Sequence, residues 1–509
     1  RIIPSDISGV FPVKTEPAPL DKSDVRLKEP LDPFIVGTSK RCKKVKEFDN
    51  DHVDLAVEHL QNKLLQNITP IRAITEISVT QAIEGFDLPG YEKLTLTTSE
   101  GYPWIKHRPV NSSDKSWMFN IAQYENGSIK VNGIFGPLLE TLKLKESMRK
   151  RKVVPCSYFT ASLKDSRILI EKCSDPGKTR IFEISPVDLS IAQRQHYLDF
   201  IASYQNARFK AENTIGINPD GPEWSNLVNL LHTKSDKILT ADYSGYGPRL
   251  NQTLLLKAYD ITIAWYDKYF PDMTKESRNC KLALAHEITH GLHIAHDLVF
   301  RPTSGLPSGN CETVEKNSMV NSLYIRIAYL GLASVHMPRY KTLDWFDHFV
   351  VLLHNGDDLI MSVDDTIISW FNNETLIDYF QFYDIKMTDA MKSGKVRPYC
   401  SIEEASYLKR TFIKHPTRNG EWLAPLDSAS VRDAANWIWK SPNSLMASFQ
   451  NSESSCRLAY THGPDYYKHH CSVIQKAWEI RGHVFHFPSW DTLDVMVWDG
   501  VDGPTFHYF

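Results

Sequence analysis

The chain has 509 residues, 42% hydrophobic and 23% charged, which excludes a wholly disordered protein and predicts several cores or one large multi-lobed enzyme. Its 58 Lys and Arg against 61 Asp and Glu leave a net charge of −3, so there is no global pull towards nucleic acid or anionic membrane and any phosphate-binding surface must be local. The eight dispersed cysteines contain no C-x-x-C pair, which argues against a zinc ribbon or a disulfide framework and fits a reducing compartment.

The chain starts at Arg1, as expected of a piece cut from a longer precursor. It shows no signal peptide and no apolar run near the ~18 residues that cross a bilayer, so the sequons at Asn67 and Asn126 carry little meaning. The first fifty residues, rich in Pro and charge, read as an extended arm lying on something else. Within it KRCKKVK (Lys40 to Lys46), like RKRK (Arg149 to Lys152) further on, is either a polyanion contact or a solvated charged face.

From there to about residue 235, short loops and mixed segments alternate without a βαβ rhythm. The SDPGKTR stretch ends like a phosphate loop, but Lys172 stands where a Walker A motif needs glycine, so its cations act on a phosphate only as point charges. KILTADYSGY then reads as a strand ending in an acidic turn at Asp242. The helix after it is marked by Leu254, Ala258, Ile261 and Trp265 at helical spacing. HEITH (His286, Glu287, His290) matches a zinc-protease pattern and needs a third ligand such as His293 or His296. Gly291 and the strand-like alternation of HIAHDLVF predict that this helix stops too soon, and among 19 histidines the match reads as chance.

GLPSGNCETVEKNSMVNSLYIRIAYLG is a Gly and Ser loop leading into a long helix that sets Thr313 and Asn317 on one face. VVLLHNGDDLIMSV is a hairpin with Asp357 and Asp358 at its bend, where turn chemistry alone is a sufficient explanation. A helix through NNETLIDYFQFY follows, and the Trp- and His-rich last ninety or so residues, from about Pro416, read as a separate lobe. The central order β, α, α, ββ, α describes an antiparallel sheet backed by helices, an α+β palm-like core.

Nucleotidyl transfer by two metals needs carboxylates from separate elements converging on ions roughly 3.5 to 4 Å apart. Asp242 and Asp357 meet that need if their strands are neighbours. Such a site also needs cations for a triphosphate, a grip on the ribose and a proton donor for pyrophosphate.

Seven stretches stand in order: TSEGYP, KDSRILIEKCSDPGKTR, ADYSGYGPRL, SGLPSGNCETVEKNS, HNGDD, MTDAMKSG and YLKR. On these the chain resembles the RNA-dependent RNA polymerases of positive-strand, picornavirus-like viruses, especially the iflavirus and dicistrovirus branch infecting insects. The resemblance spans about residues 98 to 412, and KTEPAPLDKSDVRL also looks like the amino-terminal stretch of that branch. It implies a right-hand fold: fingers with the arm over 1–195, palm over 196–279 and 304–412 around an insertion at 280–303, and thumb over 413–509.

The resemblance also implies roles at matching positions. Asp242 and Asp357 would hold two Mg²⁺ ions, for which Mn²⁺ could substitute, with Asp358 a lesser or indirect ligand, and Lys392 would be the general acid. Lys164, Lys172, Lys178 and Arg180 would neutralise the triphosphate, and Ser308, Gly309, Thr313 and Asn317 would place the template base and the incoming ribose. Thr98, Ser99, Gly101 and Tyr102 would guide the template, while Lys409 and Arg410 grip the primer. The implied partners are RNA template and primer, NTPs, a small genome-linked protein primer and other viral replication proteins. The implied location is the host cytoplasm, at membrane-associated complexes reached through those partners.

Singly, most of these residues have a plainer reading as surface charges or helix ends, but independent surface residues have no reason to fall in this order. Two departures stand out. Gly247 replaces the Asp that often helps sense the ribose 2′-hydroxyl, leaving sugar selection to Asn317, Thr313 or the backbone, and Asn355 replaces the usual Tyr before GDD. A reverse transcriptase would normally carry an apolar residue at Gly356, and a non-catalytic RNA-binding scaffold would not need Asp242 and Asp357 together.

Overall fold

A computed structural model describes residues 1–389 and 396–500, so Lys392 lies outside the described residues. At its centre a four-stranded antiparallel sheet runs in the order Val350–Asn355, Asp358–Val363, Ile238–Tyr243, Met387–Asp389. Its strands are near-continuous apolar runs because both faces are covered: Leu239, Ala241, Leu352, Leu359 and Met361 join one core, while Ile238, Leu353 and Ile360 join another. The helices Gln252–Tyr269 and Thr313–His336 back the sheet, as the sequence pattern predicts.

A second sheet runs in the order Leu298–Phe300, Leu292–Ala295, Tyr158–Leu163, Ile181–Ile184. The helix before HIAHDLVF stops at Thr289, as its pattern predicts, and that strand-like stretch forms two paired strands of a hairpin. Five α-helices between residues 50 and 235 went unrecognised in the sequence: Asn50–Asn67, Val79–Glu84, Gly136–Lys150, Val187–Asn206 and Pro222–His232. For Val187–Asn206 the cause is burial on almost every side, which leaves no contrast between an apolar and a polar face.

The arm is only partly extended. Ile2–Pro4 pairs with Trp437–Trp439 and Thr15–Pro17 with Arg167–Leu169, while Pro33–Ser39 forms a short helix capped by Asp32 with Pro at its first turn. Ile7 and Phe11 complete a core of the carboxyl-terminal lobe with Phe449, Ile474 and Trp478. Each basic run spends one arginine internally: Arg41 is buried against Glu183, and Arg149 against Glu287. Among the described residues, no helix is long and apolar enough to cross a membrane.

Candidate active site

The hairpin turn closes on the Asn355–Asp358 pair, and Gly356 has φ +68° while Asp357 stays out of the positive region. Positive φ at only the first central residue is the II′ pattern, so the backbone, not lack of space, selects glycine there. The turn is held from two sides. Gly356 N donates to Ser318 Oγ at 2.8 Å, and Asn321 Nδ2 donates to the carbonyls of Gly356 and Asp357, each at 3.2 Å. On the other side Asn355 Nδ2 donates to the Thr214 carbonyl at 3.2 Å, and Thr214 N to the His354 carbonyl at 2.8 Å. Asn355 thus ties the turn to the segment at 212–214, a role that local turn chemistry did not reveal.

Leu359 lies opposite Ala241 and Thr388 opposite Asp242, so Asp242 ends its strand beside the turn. The Asp357 side chain reaches solvent, yet the protein packed around it raises its carboxyl above the usual range. The neighbouring Asp242 carboxylate adds to the rise and Arg180 offsets it. Asp358 instead acts on the buried Tyr407 phenol, whose pKa is raised first by burial and then by that carboxylate. Asp357 therefore shares its field with Asp242, whereas Asp358 also influences the opposite side of the strand.

Lys164, Lys172, Lys178 and Arg180 are all exposed; Lys164 and Arg180 adjoin neighbouring strands of the second sheet, where Lys164 N donates to the Arg180 carbonyl at 2.8 Å, and Lys172 and Lys178 end the short helical turns Ile170–Lys172 and Pro176–Lys178. Sequence reasoning saw Lys40 only as part of a basic run; its ammonium donates to the Gly177 carbonyl at 2.7 Å, and burial and then Lys178 lower its pKa. Sequence reasoning missed a cleft of about 620 Å³ lined by Lys43, Lys44, Arg249 and Lys386 together with Asp384.

Ser308 and Gly309 fasten their loop to the second sheet. Ser308 N and Oγ both donate to a Glu183 carboxylate oxygen at 3.1 Å, and that same carboxylate accepts from Arg41 Nη2 at 2.8 Å. A Cβ on Gly309 would lie 2.1 Å from the Glu183 carbonyl, so only glycine fits. The signal for Glu183 was visible as a charged residue inside the apolar run RIFEI, but its partner Arg41 is 142 residues away. Thr313 Oγ1 donates to the Asn310 carbonyl at 2.7 Å. Asn317, on the same face, has a buried Oδ1 with no hydrogen-bond partner among the described residues.

In TSEGYP, Gly101 has φ +74° and presses against the Ser185 carbonyl; Thr98 is exposed and Ser99 accepts from the Gly101 N–H at 3.3 Å. The Tyr102 ring packs edge-on against Tyr158 at 5.5 Å, with the Lys106 ammonium 5.0 Å from its centre. In YLKR, Tyr407 and Arg410 close a tight turn, with Leu408 and Lys409 both at positive φ. Lys409 is displayed to solvent, but Arg410 donates to the Ala424 carbonyl at 2.7 Å and lies 3.6 Å from Asp220.

Two other clusters are structural. Glu287 of HEITH is buried, accepting from Arg149 Nε at 2.8 Å and Ser157 Oγ at 2.6 Å, so it is not available to activate water. Glu146, His196 and Cys280 lie close together, but their contacts of 3.0 and 3.3 Å are hydrogen-bond lengths. Arg149, 3.7 Å from the Glu146 carboxylate, already supplies a positive charge there.

The family profile described as viral RNA-dependent RNA polymerase matches residues 4–477. The chain is 36% identical over 492 residues to the genome polyprotein of Deformed wing virus, an iflavirus, covering 96% of this chain and 17% of that polyprotein. It is 25% identical over 477 residues to the replicase polyprotein of Drosophila C virus (strain EB), a dicistrovirus, covering 92% of this chain and 27% of the other. It therefore spans about a quarter or less of the length of these relatives. Among solved structures, the Sicinivirus 3Dpol RNA dependent RNA polymerase superposes with a TM-score of 0.77 at 20% identity, over 97% of this chain and 94% of that one. The chain belongs to the viral RNA-dependent RNA polymerase family and has its right-hand α+β fold.

Proposed function

We propose that this chain carries out template-directed RNA synthesis: the 3′-hydroxyl of a primer attacks the α-phosphate of an NTP paired to an RNA template, and pyrophosphate leaves. The observation that carries this reading is the juxtaposition of Asp242 and Asp357 at one end of the central sheet. Asp357 is accessible there, and its carboxyl is raised by crowding and by its neighbour's charge. A donor set made only of carboxylate oxygens fits hard divalent cations, Mg²⁺ with Mn²⁺ as a substitute, held by Asp242 and Asp357 with Asp358 assisting. When bound, two such ions would stabilise negative charge on the attacking and leaving oxygens.

The chain's own residues supply the rest. Lys164, Lys172, Lys178 and Arg180, all exposed, neutralise the triphosphate as it approaches Asp357, whose field Arg180 already reaches. Asn317 offers a buried acceptor that a ribose hydroxyl satisfies, while Gly247 offers none. Ser308, Gly309 and Thr313 shape the loop against which the template base and nucleotide rest. Thr98, Ser99, Gly101 and Tyr102 border the template path, Lys409 contacts the primer backbone with Arg410 as its anchor into the next lobe, and Lys392 protonates pyrophosphate.

The same reading assigns fingers to 1–195, palm to 196–279 and 304–412 around the insertion at 280–303, and thumb to 413–509. It also assigns protein-primed initiation by a small genome-linked protein, other viral replication proteins as partners, and work in the host cytoplasm at membrane-associated complexes. Primer extension on an RNA template with Mg²⁺ tests it. Asp357→Asn is expected to lose about 10²–10³-fold or more in rate, and equal activity in variant and parent refutes the mechanism. Asn317→Ala is expected to incorporate deoxynucleotides more readily relative to ribonucleotides, and unchanged discrimination rules out its role in sugar selection.

A further inference from the structure

The helix Thr313–His336 carries one side chain that touches both carboxylate-bearing segments at once. Asn321 has no exposed surface, and every polar atom of its carboxamide is engaged. Oδ1 accepts from the Tyr243 hydroxyl at 3.0 Å, and Nδ2 donates to the carbonyls of Gly356 and Asp357 at 3.2 Å. Tyr243 is the residue after Asp242, and burial holds its phenol neutral and so able to donate. Ser318, one turn earlier, donates to the Val314 carbonyl at 2.8 Å and accepts the Gly356 N–H at the same distance. The helix thus grips a peptide plane on each side of Asp357 and the tail of the strand that carries Asp242. A buried amide is costly unless fully paired, and an apolar side chain of the same size would fill the space without fixing either peptide.

We propose that Asn321, assisted by Ser318, is a positioning residue: it sets where the Asp357 carboxylate stands relative to Asp242 and thereby tunes the affinity of the pair for divalent cations. It touches neither nucleotide nor RNA. This rests on the polymerase reading above, in which those two carboxylates hold the metal.

The test uses the full chain and two readouts: Mn²⁺ binding by calorimetry without RNA or nucleotide, and steady-state extension with kcat and KM for NTP separated. Asn321→Leu, which keeps volume and loses all three hydrogen bonds, is expected to weaken Mn²⁺ binding and lower kcat by about 10–100-fold. KM for NTP and affinity for RNA are expected to stay within about twofold, because the nucleotide contacts are elsewhere. Amide exchange at Gly356 and Asp357 is expected to quicken in the same variant. Parental Mn²⁺ binding and kcat in a folded Asn321→Leu protein overturn the proposal. Should that variant fail to fold, Tyr243→Phe removes the one bond to Asn321, and Ser318→Ala removes the bond to Gly356 together with that to the Val314 carbonyl. Several-fold weaker Mn²⁺ binding in both supports the proposal, and parental binding in both overturns it. Asp357→Asn separates the two levels. If it remains active, the polymerase reading falls; if it is inactive while Asn321→Leu is parental, only the positioning role falls.

Discussion

At the hairpin, the peptides around Asp357 are held by Ser318, Asn321 and Asn355 with bonds of 2.8 to 3.2 Å, whereas in the basic segment at 164–180 Lys164, Lys172, Lys178 and Arg180 are all exposed to solvent. Lys178 has only a loose 3.9 Å contact with Asp175 there. The difference follows from what each charge must do. Carboxylates that hold a cation lose function with small displacements, so their backbone is over-determined. Cations that receive a triphosphate act through a long-range field, and flexible side chains serve for that.

That contrast can be broken first where the two regions meet. Glu183 joins the second sheet to the loop at 304–309 and is paired with the buried Arg41. Glu183→Ala leaves that guanidinium without its partner and is expected to cost about 3–5 kcal/mol of stability, read as a fall in denaturant midpoint. A loss below about 1 kcal/mol would mean that Arg41 finds another acceptor.

Next, replacing both Lys172 and Lys178 with Ala should raise KM for NTP by about three- to tenfold with kcat nearly unchanged, and added salt should shrink the difference between variant and parent. A fall in kcat instead would show that these lysines are fixed in place, as the carboxylates are.

The smallest expected effect lies under the carboxylate region. Glu315, in the first turn of the helix that bears Asn321, accepts from Gln205 Nε2 at 2.7 Å, and burial pushes its carboxyl up to about 7. Between the ordinary carboxylate value and that pH, the folded state holds a proton the unfolded state has released, so stability falls as pH rises through this window. Glu315→Gln removes the slope. Its stability relative to the parent is expected to be on the order of 1 kcal/mol better at pH 8 than at pH 5, and a pH-independent difference excludes the titration.

What was legible in the sequence was local chemistry. The HNGDD hairpin follows from two apolar runs around a glycine turn, and its meeting with Asp242 follows from the strand that ends there. Thr313 and Asn317 were visible through a spacing of four. Asn321 continues that spacing, but a polar residue inside an apolar helix carries no mark of what it faces. Arg41 read as part of a basic run because its partner lies on a strand 142 residues further on, and Arg410 read as a free cation because Ala424 and Asp220, which it meets, belong to other segments. In each case the information lay in a pairing across the chain, which spacing does not encode.

The arm has a consequence in the time domain. Ser5 Oγ donates to the Ala435 carbonyl at 2.6 Å across 430 residues of chain, beside the strand pairing of Ile2–Pro4 with Trp437–Trp439. The two halves of this clasp leave the ribosome 430 residues apart. Contacts of such long range close late in folding. Until they do, Ile7 and Phe11 stay out of the core they share with Phe449, Ile474 and Trp478, and that core stays incomplete.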